Sequence, residues 1–145
     1  LIPSAGIGAD VIIGFPGESA EDFTDTYDFI NSLPLSYLHI FTFSERPGTV
    51  ASTFPGKVSF EEKESRSKKL ISLSKQKHNA FLTHNIGCHA SVLFEHAKSA
   101  GMIGGYTGNY IRVEHPWHSS LAGEVRKVRL TGISDSGKME IELID

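Results

Sequence analysis

Three stretches of the chain carry side chains whose types and spacing suit chemistry. Gly14-Phe15-Pro16-Gly17-Glu18 stands where an apolar run, Ala9-Asp10-Val11-Ile12-Ile13-Gly14, gives way to a helix start at Ser19. Glycines at such a turn let backbone approach a ligand closely, and the N–H groups opening the next helix attract anions. The same residues also suit a tight turn with nothing bound. Ser44-Glu45-Arg46-Pro47-Gly48-Thr49 holds Arg46, the single base in residues 1–56. A lone guanidinium there could take a substrate carboxylate or phosphate, or pair with Glu45 or Glu18. The third stretch carries Arg126, Lys127 and Arg129, with Lys98, Arg112, Tyr106 and Tyr110 elsewhere in the same region. Basic side chains among aromatics are the ingredients of nucleic-acid binding, diluted here by Glu95, Glu114 and Glu124.

Thiol and metal chemistry have less to work with. Cys88 is the single cysteine, which excludes an internal disulfide and any zinc or cluster held by several cysteines of this chain. Cys88 reads as a small core residue at the head of a strand, because nothing near it resembles a base with an orienting partner. His115 and His118, and the loose group His84, Cys88 and His89, lack the further ligands a metal needs.

The elements that must position these residues have two textures. Residues 9–14 form a short apolar run that suits a strand buried on both faces. Ser19, with Asp22 three residues on, is a helix start, and Phe23, Tyr27 and Ile30 follow at helical spacing. Residues 37–43 are rich in aromatics and predict a strand. Strand, helix and strand with short turns make a right-handed βαβ unit. Pro47, Gly48, Pro55 and Gly56 mark residues 44–58 as a loop, and Ser59 opens a connecting helix over 59–84. Leu70, Leu73, Lys77 and Phe81 lie along one stripe of that helix. From Cys88 the period changes to two, and glycines punctuate strand candidates at Tyr110–Glu114, Leu121–Leu130 and Lys138–Ile144. Short strands with glycine at the bends predict a small closed barrel. The expected domains are therefore 1–84 and 85–145. Two parallel strands and a helix cannot bury their own faces, so the first piece reads as part of something longer.

Charge divides the chain differently. Residues 1–56 carry seven acids and one base, residues 57–84 seven bases and three acids, and the remainder is nearly balanced, for an overall −3. The basic middle segment suits either phosphate or a solvated helix face. Of the 145 residues, 39% are apolar and 21% charged, which excludes a disordered chain. No apolar run approaches the ~20 residues of a membrane span.

In order along the chain stand Ile7-Gly8-Ala9-Asp10-Val11-Ile12-Ile13-Gly14-Phe15-Pro16-Gly17-Glu18-Ser19, Glu21-Asp22-Phe23, Tyr37-Leu38-His39-Ile40-Phe41, and Arg46-Pro47-Gly48-Thr49 with Ala51. That ordered set resembles the late part of the radical-SAM domain of methylthiotransferases. Val92-Leu93-Phe94-Glu95, Gly105-Tyr106-Thr107-Gly108-Asn109-Tyr110-Ile111 and Gly123-Glu124-Val125 resemble the TRAM domain of the same enzymes. The resemblance covers essentially the whole chain. The Gly-Tyr-Thr-x-Asn-Tyr-Ile stretch is most similar to the branch acting on threonylcarbamoyladenosine in tRNA. Tyr106 stands where many TRAM domains have Arg, and Glu45 replaces the Pro of the Ser-Pro-Arg-Pro loop of the isopentenyladenosine branch. A third branch modifies a ribosomal protein.

The resemblance implies an α/β fragment, the last βα units of a radical-SAM barrel, followed by a small all-β TRAM barrel of OB-like type. It implies a cytoplasmic tRNA methylthiotransferase using S-adenosylmethionine and two [4Fe–4S] clusters, placing a methylthio group at C2 of adenosine 37. The cluster cysteines of the family are absent from this chain, so by itself it is expected to be inactive and to hold no metal. Ile12, Ile13 and Gly14, with Phe41, Thr42 and Phe43, would wall the S-adenosylmethionine pocket. Arg46 would face the substrate. Tyr106, Tyr110, Arg112, Arg126, Lys127 and Arg129 would grip the tRNA anticodon stem-loop. A free-standing RNA-binding module is the rival reading. Neither the sulfur donor nor an oligomeric state follows from these residues.

Overall fold

A computed structural model describes residues 4–96 and 101–144, so Lys98 lies outside the described residues. The chain divides into two compact units, residues 7–78 in one and residues 79–145 with the first six residues in the other.

In the first unit, β1 (Gly8–Ile13) and β2 (Tyr37–Thr42) pair in parallel, with Ile12 beside Phe41 and Asp10 beside His39. Between them runs α1 (Ala20–Ser32). Ser19 and Asp22 close a reciprocal capping box, so the helix starts where the residue types predict. No base stands in the last turn of α1. Lys77 supplies one from another element, donating from Nζ to the carbonyls of Asn31 at 3.0 Å and Leu33 at 2.8 Å. Ile13, Phe23, Ile30, Leu38, Leu70 and Leu73 form the core of this unit, with Ala9, Val11 and Ile40 packed against it. One face of the two-stranded sheet is thereby covered by helices. The opposite face carries Asp10, Ile12, His39 and Phe41, all largely open.

The connecting helix is α2 (Phe60–Asn85), one residue on from its expected bounds at each end. Ser59 caps it by accepting from the Glu62 N–H at 3.1 Å. Leu70 and Leu73 serve the first core, whereas Phe81 and Leu82 serve that of the second unit.

The second unit is a closed barrel of β3 (His89–Phe94), β4 (Met102–Thr107), β5 (Arg112–Pro116), β6 (Val125–Ile133) and β7 (Met139–Leu143), in the order β3-β4-β5-β7-β6. All neighbours are antiparallel except β5 and β7. Val92, Phe94, Ile103, Ile111, Val113, Val128, Leu130 and Met139 fill the interior. The expected strand from Leu121 instead begins at Val125, because Leu121 folds back as a turn residue whose side chain plugs the core.

Cys88 is the clear departure. It is exposed rather than part of the core. It has the parity of Ala90, Val92 and Phe94, but it lies in the turn that leaves α2, ahead of the ladder, where alternation does not yet apply. Its backbone is what the fold uses: its N–H donates to the Asn85 carbonyl and its carbonyl accepts from Leu130.

Candidate functional site

The first cluster of expected site residues lies at the carboxyl ends of β1 and β2. Ile12 and Phe41 are register neighbours, 62% and 51% exposed on the uncovered face. Together they offer a flat apolar patch. Ile13 has the opposite parity and is fully buried against the helices. Its carbonyl accepts the Phe43 N–H at 2.8 Å. Gly14 is buried at φ +74°, and its N–H donates to the Glu18 carboxylate. Thr42 is exposed at the strand end. Phe43 is half-buried, edge-on to Phe15 at 5.0 Å, and Phe15 meets Phe54 in turn at 6.1 Å. Of the six residues expected to wall a pocket, Ile12 and Phe41 present open apolar side chains, while Ile13 and Gly14 are buried.

Arg46 is exposed in the loop after β2. Both carboxylates that could have paired with it are engaged elsewhere. Glu45 accepts from Lys57 at 2.9 Å, and Glu18 pairs with Arg66 at 2.9 Å. Among the described residues, Arg46 has no ion pair.

The second cluster lies on the outer face of the barrel. Val125, Leu93, Tyr106 and Arg112 are successive register partners across β6, β3, β4 and β5, and so form one row. Leu93 and Val125 are 56% and 61% exposed, unusual for aliphatic residues on neighbouring strands. Arg112 lies over the Tyr106 ring at 4.8 Å and grips Glu95 with both terminal nitrogens at 2.7 and 2.9 Å. That bidentate grip holds the Glu95 carboxyl below its usual range and, with Tyr106, pushes the Arg112 guanidinium further up. Beside this row, Lys127 stands across from Ser91, and Arg129 across from His89. Arg129 also faces Glu142 at 4.0 Å.

Arg126 does not join them. It shares the inward parity of Val128 and Leu130, is half-buried, and donates to the Ser120 carbonyl at 3.4 Å. Three bases in four residues cannot all face one way on a strand, where successive side chains alternate.

Tyr110 projects from the β4–β5 turn with its side chain 76% exposed and φ at +64°. The buried Thr107 hydroxyl sets this turn. It donates to Asn109 Oδ1 at 2.5 Å and accepts the Ile111 N–H at 2.9 Å, which leaves Tyr110 the left-handed residue between.

No protein-family model matches the chain. Curated proteins do. The chain is 32% identical over 133 residues to the threonylcarbamoyladenosine tRNA methylthiotransferase MtaB of Bacillus subtilis, an overlap of 89% of this chain and 30% of that protein. It is 34% identical over 135 residues to MtaB of Thermotoga maritima, covering 93% of this chain and 31% of that one. The tRNA-2-methylthio-N(6)-dimethylallyladenosine synthase of Aliarcobacter butzleri matches at 34% over 135 residues, 92% of this chain and 31% of the relative. The chain belongs to the tRNA methylthiotransferase family. It spans about 30% of the length of these relatives.

Two cofactors implied by this family fit the residues unequally. An apolar patch such as Ile12 with Phe41 suits the adenine ring of S-adenosylmethionine. An iron–sulfur cluster needs several thiolates, and the single exposed Cys88 does not fit one. Among the described residues, no three His, Cys, Asp or Glu side chains gather closely enough to hold a metal. No helix of the described residues is long and apolar enough to cross a membrane.

Two sets of residues stand outside the sites expected from the sequence. Leu93 and Val125 could have been found as apolar side chains at outward parity. Lys63 and Arg66 continue the Leu70, Leu73 and Lys77 stripe backwards at helical spacing, so they are bases at positions that face the core. Arg66 is 5% exposed.

Proposed function

We propose that the chain forms part of an enzyme that adds a methylthio group at C2 of N6-threonylcarbamoyladenosine 37 in tRNA. In this reading the first unit is the late part of a radical-SAM barrel, and the second is a TRAM domain that grips the anticodon stem-loop. The uncovered sheet face with Ile12 and Phe41 then turns toward the barrel interior and holds S-adenosylmethionine by apolar contact. Parallel strands are ordinarily covered on both faces, which supports this placement. When bound, S-adenosylmethionine supplies the radical chemistry that opens C2 to sulfur. Arg46, left without a carboxylate of its own, takes a substrate phosphate or the threonyl carboxylate. The enzyme would work in the cytoplasm, alongside its tRNA.

The observation that carries the RNA part is the outer row Val125–Leu93–Tyr106–Arg112, flanked by Lys127 and Arg129. A ring and a guanidinium in contact, beside open aliphatic side chains and two bases, suit unstacked bases and backbone phosphates together. The relatives named for dimethylallyladenosine support a second reading, in which the modified adenosine is that one.

Two experiments test this. Nucleosides of tRNA from a strain lacking the gene, analysed by mass spectrometry, should have lost the methylthio-threonylcarbamoyl form. Loss of the methylthio-dimethylallyl form instead selects the second reading, and an unchanged profile refutes both. In the whole enzyme, Lys127→Ala with Arg129→Ala should weaken tRNA binding and lower its salt slope by about 2, one for each phosphate no longer neutralised.

A further inference from the structure

Two basic side chains from the start of α2 reach the carboxyl ends of both strands of the first unit. Lys63 Nζ donates to the Phe43 carbonyl at 3.1 Å, just past β2, and lies 5.6 Å from the centre of the Phe43 ring. Its alkyl stem passes over Gly14, so closely that a Cβ added there would sit 2.5 Å from Lys63 Cγ. Arg66 works one turn further along. Its guanidinium pairs with Glu18 Oε2 at 2.9 Å, donates to the Glu18 carbonyl at 3.1 Å, and donates to Glu62 Oε1 at 2.9 Å. It also lies over the Phe23 ring at 5.5 Å. The Glu18 oxygen it holds is the one that accepts the Gly14 N–H.

The connections run in one direction. Arg66 fixes the Glu18 carboxylate, Glu18 fixes the Gly14 N–H, and Lys63 fixes Phe43 while covering Gly14. A core stripe that carried leucines at these positions would still bury an apolar helix face. It could not tie down a backbone N–H and a carbonyl at two strand ends. Burying a guanidinium is costly unless it is well paired, and Arg66 has two carboxylates, a carbonyl and a ring around it.

We propose that Lys63 and Arg66 are positioning residues that set the spacing and direction of the β1 and β2 ends, and through them the Ile12–Phe41 surface that receives S-adenosylmethionine. The inference rests on the cofactor placement proposed above. Neither base touches the cofactor; each acts through backbone at a strand end. Gly14 is required twice over, for its positive φ and for the room Lys63 takes.

The test is equilibrium binding of S-adenosylmethionine to the whole reconstituted enzyme, with tRNA affinity and the thermal midpoint measured beside it. Lys63→Met keeps the stem over Gly14 and removes the donor. It should raise the Kd for S-adenosylmethionine about tenfold, the equivalent of one charge-assisted hydrogen bond, and leave the Kd for tRNA unchanged. Lys63→Arg should restore binding. Arg66→Gln should act in the same direction; if its burial prevents folding, Lys63→Met decides alone. A Phe41→Ala variant separates the two claims. Weak binding by Phe41→Ala with normal binding by both α2 variants upholds the cofactor site and overturns the positioning role. Normal binding by all three overturns both. A Lys63→Met enzyme that loses tRNA and S-adenosylmethionine affinity equally, with a lowered midpoint, shows a general scaffold and also overturns the proposal.

Discussion

Gly14 and Tyr110 share a left-handed backbone, but for opposite reasons. At Gly14 the conformation is free of strain and the space is already taken. Gly14→Ala meets both a positive φ and the Lys63 stem. It should cost about 1–3 kcal/mol, measured by urea unfolding of the chain. At Tyr110 a bulky side chain is held in that region by the Thr107 hydroxyl, while its ring is almost wholly in solvent. Tyr110→Gly should therefore gain about 1 kcal/mol of stability. If the ring serves RNA, the same variant loses tRNA affinity in the whole enzyme, so the two measurements move in opposite directions. The Gly-Tyr-Thr-x-Asn-Tyr-Ile motif was readable from the chain alone. The strain at its second tyrosine was not, because nothing in the residue type foretells a left-handed tyrosine.

Among the elements, α1 and the β6–β7 hairpin depend most on polar interactions that can be removed singly. Ser19→Ala breaks the capping box of α1 and should cost about 1 kcal/mol, read from the unfolding midpoint. Glu114 on β5 ties the turn between β6 and β7. Ser136 Oγ donates to it at 3.0 Å and Lys138 Nζ at 3.0 Å. Hydrogen bonding by Ser134, then by Lys138 and Ser136, holds the Glu114 carboxyl below its ordinary 4.5. A carboxylate whose folded pKa is depressed stabilises the fold above the unfolded value and loses that contribution as pH falls through the folded one. Barrel stability should therefore decline as pH drops below about 4.5, and Glu114→Gln should flatten that decline while lowering stability at pH 7. The existence of β5, β6 and β7 was legible and their bounds were not, while β4 runs through Gly104 and Gly105, glycines that read as bends. The Leu121–Leu130 run is apolar enough to predict a strand from its first residue, yet Leu121 buries itself from a turn.

At the scale of the molecule there are two cores, and α2 contributes side chains to each. The barrel core centres on Phe94 and Ile103, both essentially without solvent contact. Phe94→Ala should destabilise the barrel by about 3–5 kcal/mol, seen as faster amide exchange in β3, β4 and β6. The first unit has the opposite character: one face of its sheet is covered, and the other bears Ile12 and Phe41 in the open. An uncovered face on parallel strands, in a chain that spans about 30% of its relatives, agrees with the proposal that further βα units complete it.

Residue types and spacing by themselves determined the βα order, the capped starts of both helices, the change to period two near Cys88, and the family resemblance. These depend on local propensity and on ordered motifs, which a chain carries whether folded or not. Only the tertiary structure decided which side chains share a face. Arg126 parted from Lys127 and Arg129 by strand alternation, and Leu93 and Val125 joined Tyr106 and Arg112 through a register spanning four strands. Glu18 and Glu45 were drawn away from Arg46 by Arg66 and Lys57, residues 48 and 12 positions along the chain. Electrostatic pairing depends on distance in space. Arg46 is thus left without an ion pair among the described residues because the fold gives both neighbouring carboxylates to other bases.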